Sequence, residues 1–378
     1  MKRMRICRHN SRSGIALIVV MIAITVLSIL AAGFAYSMKV ETKLAQNSNS
    51  ETELIWLGRS GVDAARWVLA AGQGCPFDCL NQKWVGGLGA PCETNGPLSA
   101  VVSLSPFQLE GYPPYPFSIK ITDLDRKYHI NRDPNDPDLE RALEQALRLV
   151  GVDAGDYSAI SGAIIDWMDP DDNTHIGGTE SAYYQTLDPP YFAKNQPIDD
   201  LSELLLVRGV TPDIYWGGVA TNHPPAAFQN KLGRVTPVTG VTSYNVGLMD
   251  LFTPFSNPAG RININTASLV QLQMIPFVDE VIAAKIIELR SGPDGADGTE
   301  DDQPAGMGGP LGSVESMLAS AGMNQQVVPL AARFCTVKSS VFEVEVDAEI
   351  AGYKRKFFAI LAKNNQRDVQ VLSFYWKD

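Results

Sequence analysis

Histidine is scarce in this 378-residue chain. The four residues, His9, His129, His175 and His223, form no HExxH or His-x-His pair. No G-x-S-x-G and no P-loop occurs either, so the usual signatures of metalloproteases, serine hydrolases and nucleotide hydrolases are missing. Nothing in the sequence assembles a catalytic constellation, and we expect no enzyme. Basic residues are also few. Lys and Arg number 31 against 42 Asp and Glu, a formal charge of −11, which argues against a nucleic-acid surface. There are five cysteines, with no C-x2-C pair and no neighbouring histidine to suggest zinc. Cys7 stands in the N-terminal basic segment. Cys75, Cys79, Cys92 and Cys335 remain as disulfide candidates, and their three pairings stay open. Three of them bracket a Gly- and Pro-rich loop, Gly72 to Pro97, which would gain most from a staple.

What the chain does have is one long run without charge. Lys2, Arg3, Arg5, Arg8 and Arg12 are followed by Gly14, and Ile15 to Ala35 then carries no ionisable acid or base. As a helix this run is roughly 30 Å long, enough to cross a bilayer. The basic side stays cytoplasmic, which places the body on the other side of that membrane. A secretory signal has a shorter apolar run with small residues after it. Here the only cleavage-like glycine precedes the run. The arrangement resembles the class III leader of type IV pilins and type II secretion pseudopilins. The resemblance implies a prepilin peptidase that cuts after Gly14 and methylates Ile15. It also exposes a departure. Most members carry glutamate at the fifth mature position, which here is Val19. The large K-class minor pseudopilin of type II secretion is the one that lacks this acid. Without the five leader bases, 26 bases face 42 acids, near −16.

The rest of the chain fits the same plan. Ile55, Gly58, Val62, Ala65 and Leu69 form one helical stripe, after a polar stretch at 46–53 that predicts an exposed or kinked helix. Gly72 to Pro116 reads as loop. Phe117 to Asp123 and Tyr128 to Asn131 read as strands. Alternation returns at Phe342 to Ile350, Lys356 to Leu361 and Val369 to Trp376, an antiparallel meander. Between these strands lie helical patterns around Leu139–Val150, Ile160–Met168, Leu201–Leu205 and Val281–Leu289. We therefore expect an α+β fold: a pilin-like long N-terminal helix on an antiparallel sheet, with a large inserted helical domain. The expected divisions are a leader (1–14), a membrane segment (15–35), the first pilin-like part (36–131), the insert (132–332) and the C-terminal strands (333–378). This is the plan that the K-class resemblance implies, with a sterile-alpha-motif-like or helix-hairpin-helix-like insert. The resemblance is weakest over Gly217 to Pro258.

Three segments could carry chemistry. Ile262 to Ala267, Leu269 to Met274, Ile275 to Asp279 and Val281 to Arg290 resemble a helix-hairpin-helix. In DNA-binding versions the hairpin reads like Gly-Ile-Gly, with amides near a phosphate. Here Phe277 and Val278 replace that turn, and Asp279 and Glu280 follow, which disfavours DNA. A second segment, Asp166 to Asn173 followed by Glu180, supplies closely spaced hard oxygens of the kind calcium takes. K-class members resemble it and bind calcium, which implies Asp169, Asp171, Asp172 and Glu180 as ligands. A third segment, Pro293 to Asp302, offers Asp294, Asp297, Glu300, Asp301 and Asp302 as a second candidate loop. The expected function is a minor pseudopilin at the tip of the type II secretion pseudopilus. It would be a single-pass inner-membrane protein with a periplasmic body. Its implied partners are I-class and J-class minor pseudopilins, the major pseudopilin filament, the prepilin peptidase and secreted cargo. A bulky insert and a missing position-five acid both suit a terminal subunit. The alternatives are a minor pilin of a type IV pilus and a membrane-anchored DNA receptor.

Overall fold

One helix links two very different environments. In the computed structural model, which describes residues 13–93, 96–217, 234–235, 243–244, 246–256, 259–350, 352–365 and 368–377, helix α1 runs unbroken over Ser13–Ala71. At 1.5 Å per residue that is roughly 90 Å. Its first half exposes Ile15, Leu17, Val19, Ile22, Leu27 and Leu30 on all sides, and it is long and apolar enough to cross a membrane. The residues before Ser13, including Cys7 and His9, lie outside the described residues. The polar stretch 46–53 remains helical, with Gln46, Ser48, Asn49, Glu51, Thr52 and Glu53 exposed.

From Leu54 onward α1 acquires a buried face of Leu54, Val62, Ala65, Val68 and Leu69. Two mid-helix glycines allow the sheet to approach. A Cβ at Gly58 would lie 2.5 Å from the Phe357 ring, and one at Gly61 would lie 2.4 Å from Val346 Cγ1. Glycine inside a helix costs about 1 kcal/mol against alanine. Here that penalty is offset by direct contact of helix backbone with Phe357 and Val346.

The loop after α1 is more ordered than its composition predicts. It contains 3-10 turns and a short hairpin, β1 (Val101–Leu104) with β2 (Phe107–Leu109). Trp84, Leu98 and Phe107 join the pilin-like core. Strand β3 (Phe117–Asp123) follows, with alternate residues buried. The next strand, β4 (Tyr128–His129), leaves the sheet. It pairs in parallel with Phe252–Thr253, far along the chain, and Tyr128 and Ile130 pack into the helical core. A local turn back onto β3 would have left these large apolar side chains outside that core.

The insert is built from α2 (Pro137–Val150), α3 (Tyr157–Met168), α4 (Ser181–Tyr184) and α5 (Pro212–Trp216). The short pieces β5 (Arg234–Val235), β6 (Ser243–Tyr244), α6 (Leu248–Leu251), β7 (Phe252–Thr253) and β8 (Ile262–Asn263) follow. Then come α7 (Leu269–Leu272), α8 (Glu280–Arg290), α9 (Val314–Ser320), α10 (Val328–Ala332) and β9 (Cys335–Thr336). Helix α2 shows why these ends fall where they do. Asp136 caps it by accepting from Asp138 N, Pro137 opens its first turn, and Gly151 at φ 92 closes it. Leu139, Leu143, Leu147, Ile160, Ile164 and Leu272 lie in one core with Cys335, so the insert's packing reaches a few residues beyond 132–332 on both sides.

The chain then returns to the pilin-like sheet as β10 (Val341–Ile350), β11 (Tyr353–Asn365) and β12 (Asp368–Lys377). The four-stranded order is β12-β11-β10-β3, antiparallel throughout, with Val344 opposite both Ile121 and Ala359. The fold is α+β: a long helix on an antiparallel sheet whose first and second strands in sequence are separated by the helical block.

Candidate functional site

Helix α3 ends at Met168, and its last turn brings Asp166 and Asp169 onto one face, three residues apart. The following loop folds back over them. Asp166 Oδ1 accepts from the His175 backbone N–H at 2.9 Å and lies 2.6 Å from His175 Nδ1, and Asp166 Oδ2 accepts from Thr179 N–H. This closure needs Gly178, where a Cβ would meet Asp166 Oδ2 at 2.1 Å. His175 Nδ1 is also 3.4 Å from Asp169 Oδ2. Among the described residues, Asp166, Asp169 and His175 bring one possible ligand atom each within 4.8 Å of one another.

Some oxygens here lack donors. Asp169 Oδ1, both carboxylate oxygens of Glu180 and Asn195 Oδ1 are buried with no hydrogen-bond partner. Asp169 is 3 % exposed and Glu180 is 7 % exposed. Burial, then the carboxylates of Asp171, Asp166 and Asp172, raise Asp169 to about 6, with His175 opposing. Burial, then Asp166, Asp169, Asp172 and Asp171, raise Glu180 to about 7. Asn195 stands in the left-handed region at φ 49 and donates to Asp171 O and Asp172 Oδ1. Beneath the acids, Trp167 meets the edge of Tyr184, which stacks on Tyr191. Buried acceptors without donors, gathered around one loop, match the oxygen-rich donor set of a hard divalent cation.

The four acids expected as ligands stand in two different settings. Asp169, through Oδ1, and Glu180, through both oxygens, are the acids with unpartnered buried oxygens. Asp171 and Asp172 are exposed, and their oxygens receive Asn173 N–H and the Asn195 amide. Asp166, His175 and Asn195 belong to the cluster and were not among the expected ligands. The i,i+3 pair at the end of α3 was the available sign for Asp166; nothing in the sequence ties Asn195 to it.

The second acidic loop has its oxygens occupied by its own chain. Asp297 receives a two-pronged contact from Arg290 at 3.0 and 2.8 Å and the Ser291 hydroxyl at 2.9 Å. Asp301 accepts from Thr299 and from Asp294 N–H, Asp302 accepts from Gly298 N–H, and Asp294 accepts from Ala296 N–H. Glu300 is exposed. The loop is a staple on the end of α8, because Arg290 also donates to Ile264 O and Ala267 O.

A third acidic group sits where the insert joins the pilin-like body. Asp123 Oδ2 accepts from Ser339, Thr266 and Asn263, and its Oδ1 accepts from Asp125 N–H. Asp125 receives Ser340 and Ser256, and Asp78 receives Ser339 N–H and lies 3.5 Å from Lys363 Nζ. Every segment that crosses between the two cores contributes to this network. Asp78 comes from a loop closed by the Cys75–Cys92 disulfide. Cys79 and Cys335 do not form a second bridge. Both are buried thiols, with Cys335 inside the helical core, and burial raises each of them.

The helix-hairpin-helix turn is present as α7, the turn 275–279 and α8. Its Val278 amide donates to Ile275 O and its Ile282 amide to Asp279 Oδ1. Those groups are occupied, and Asp279 and Glu280 add negative charge where a phosphate would sit. Gly14 and Ile15 lie in the first turns of α1, and Val19 is on its exposed apolar part.

Comparison with known proteins agrees with this architecture. Residues 121–216 match the family model described as type II secretion system (T2SS), protein K. A putative type II secretion system protein K of Escherichia coli K12 is 34 % identical over 80 residues, covering 21 % of this chain and 24 % of that protein. The type II secretion system protein K of Aeromonas hydrophila is 27 % identical over 216 residues, covering 55 % and 62 %. These alignments span less than two thirds of either relative. A chain in the crystal structure of the GspK-GspI-GspJ complex from enterotoxigenic Escherichia coli superposes with a TM-score of 0.59. The superposition covers 88 % of this chain and 99 % of that one at 16 % identity, a likeness of fold.

Proposed function

We propose that this chain, which belongs to the protein K family of type II secretion systems, is the minor pseudopilin that occupies the tip of a periplasmic pseudopilus and works with I-class and J-class minor pseudopilins in protein secretion. One observation carries the proposal. A membrane-length apolar helix runs without a break onto a pilin-like sheet, and a large helical domain interrupts that sheet. The role is mechanical rather than catalytic. Such a bulk leaves no room for a subunit stacked directly above it, and Val19 offers no acid to pair with a neighbouring N-terminal amine. On this reading Gly14 is the last leader residue, Ile15 is the methylated N-terminus, and the body is periplasmic, anchored in the inner membrane.

The reading includes a calcium ion held by Asp169 and Glu180, with Asp166 and Asn195 beside them. The ion would neutralise the acids that crowd the end of α3 and tie the loop 169–195 to that helix. What supports it is the orphaned state of these buried oxygens.

The test uses the full chain extracted from membranes. Mass spectrometry is expected to find an N-methylated Ile15, and I-class and J-class proteins are expected to co-purify with it. An intact Met1 in cells with active prepilin peptidase, or purification without either partner, sinks the reading.

A further inference from the structure

The hairpin between α7 and α8 holds the one bulky residue in a left-handed backbone conformation among the described residues. Phe277 has φ 68; among the described residues the other non-glycine at positive φ is Asn195, a residue type that tolerates it. A phenylalanine there is strained, and glycine would not be. The strain is not explained by packing. Ile275 and Val278 on either side are buried, whereas Phe277 is 57 % exposed. Val281, in the first turn of α8, is 75 % exposed. The hairpin thus puts two apolar side chains into solvent within five residues, on a base that cannot easily move. Ile275, Val278, Ala283 and Ile286 anchor it in the helical core.

We propose that Phe277 and Val281 form a docking prong for a protein partner that offers an apolar socket edged with basic side chains. Charge selects that partner. Asp279 caps α8 and Glu280 opens its first turn, so two acids flank the apolar pair, on a chain whose net charge is −11. The same acids repel phosphate, and the Val278 and Ile282 amides are already bonded inside the hairpin, so neither a nucleic acid nor an anionic lipid surface fits. The position suits capture of a partner. The far end of α8 is fixed by Arg290 to Asp297, in the loop whose Thr299 O accepts from Asn81 of the pilin-like body. Eleven residues of helix hold the prong roughly 16 Å from that anchorage.

The test compares the full chain with Phe277→Gly and Val281→Ser in cells that export their own cargo through the same system. It depends on the proposed role only for its readout, and deleting the chain separates the two: a deletion that leaves export intact fails the proposed role, not the prong. Phe277→Gly is expected to leave the melting temperature unchanged or higher, because glycine relieves the backbone, while export falls at least fivefold. Val281→Ser, at an exposed position, is expected to lower export in the same direction with no change in melting. Unchanged export in both variants overturns the proposal. If Phe277→Gly melts markedly lower, the side chain supports the fold, and Val281→Ser alone decides: normal export then overturns the prong. Binding of a duplex DNA probe to the full chain that disappears in Phe277→Gly also overturns it, in favour of a nucleic acid.

Discussion

Asp123 and Glu180 are both sealed from water, 2 % and 7 % exposed, and both are raised to about 7 by burial and by acidic neighbours. They differ in what their oxygens touch. Asp123 collects two hydroxyls, an amide and a backbone N–H from three segments of the chain. Glu180 collects none. A buried acceptor with donors holds segments together; a buried acceptor without them is costly unless something else arrives. The junction network is therefore complete as folded, whereas the pocket at the end of α3 leaves buried oxygens without donors, as the proposed cation requires.

The largest effect that separates the two comes from calcium. A ligand that binds only the folded state at 100 to 1,000 times its dissociation constant adds about 3–4 kcal/mol. The full chain is expected to melt higher in millimolar calcium than in chelator, and magnesium is expected to help less because it demands stricter octahedral geometry. Asp169→Asn combined with Glu180→Gln should erase the difference, whereas Asp123→Asn should keep it. Equal melting in calcium and chelator would remove the distinction drawn between the pockets.

The next effect is smaller and has opposite signs at the two sites. Asp123→Ala strands the Ser339, Thr266 and Asn263 donors and is expected to destabilise by about 2–3 kcal/mol, with or without calcium. Asp169→Ala in chelator removes an acid that Asp171, Asp166 and Asp172 repel, so it is expected to cost little or to stabilise. Urea denaturation of both variants in chelator checks this. A large loss for Asp169→Ala would mean that its contact with His175 outweighs the repulsion of its acidic neighbours.

The contrast also explains what the sequence could and could not disclose. Periodicity exposes α1 and the strands β10 to β12 because their side chains answer to one local face, as Val344 and Val346 do. It cannot show that Tyr128 pairs beside Phe252, since that choice is made by a core assembled from distant helices. The hairpin β1–β2 hides among prolines for the same reason: Phe107 matters through α1 and the sheet, not through its neighbours. Composition points to the acids near 169 and near 297 equally. Only the fold separates them, because Arg290 reaches Asp297 while, among the described residues, no base pairs with Glu180. Asp166 stood at the start of the candidate segment without being read as a ligand, and Asn195 was hidden because it looks like an ordinary loop amide.

The smallest expected effect is in pH, and its sign follows from the raised carboxyls. Asp169, at about 6, and Glu180, at about 7, bind protons in the folded chain that they release at ordinary values of 3.8 and 4.5 when unfolded. Between about pH 4.5 and 7 the folded state therefore holds more protons, so without calcium stability falls as pH rises through this window. One pKa unit is about 1.4 kcal/mol, and because these acids titrate against one another we expect on the order of 1–2 kcal/mol between pH 5.5 and 7.5. Asp123 shifts in the same direction and adds a slope of its own, but calcium does not reach it. Melting curves in calcium and in chelator, recorded across that range, cancel the junction and isolate the pocket. The gap between them should widen as pH rises, because the ion binds the ionised acids and competes with their protons. A gap that stays constant from pH 5.5 to 7.5 would place the ion elsewhere than on Asp169 and Glu180.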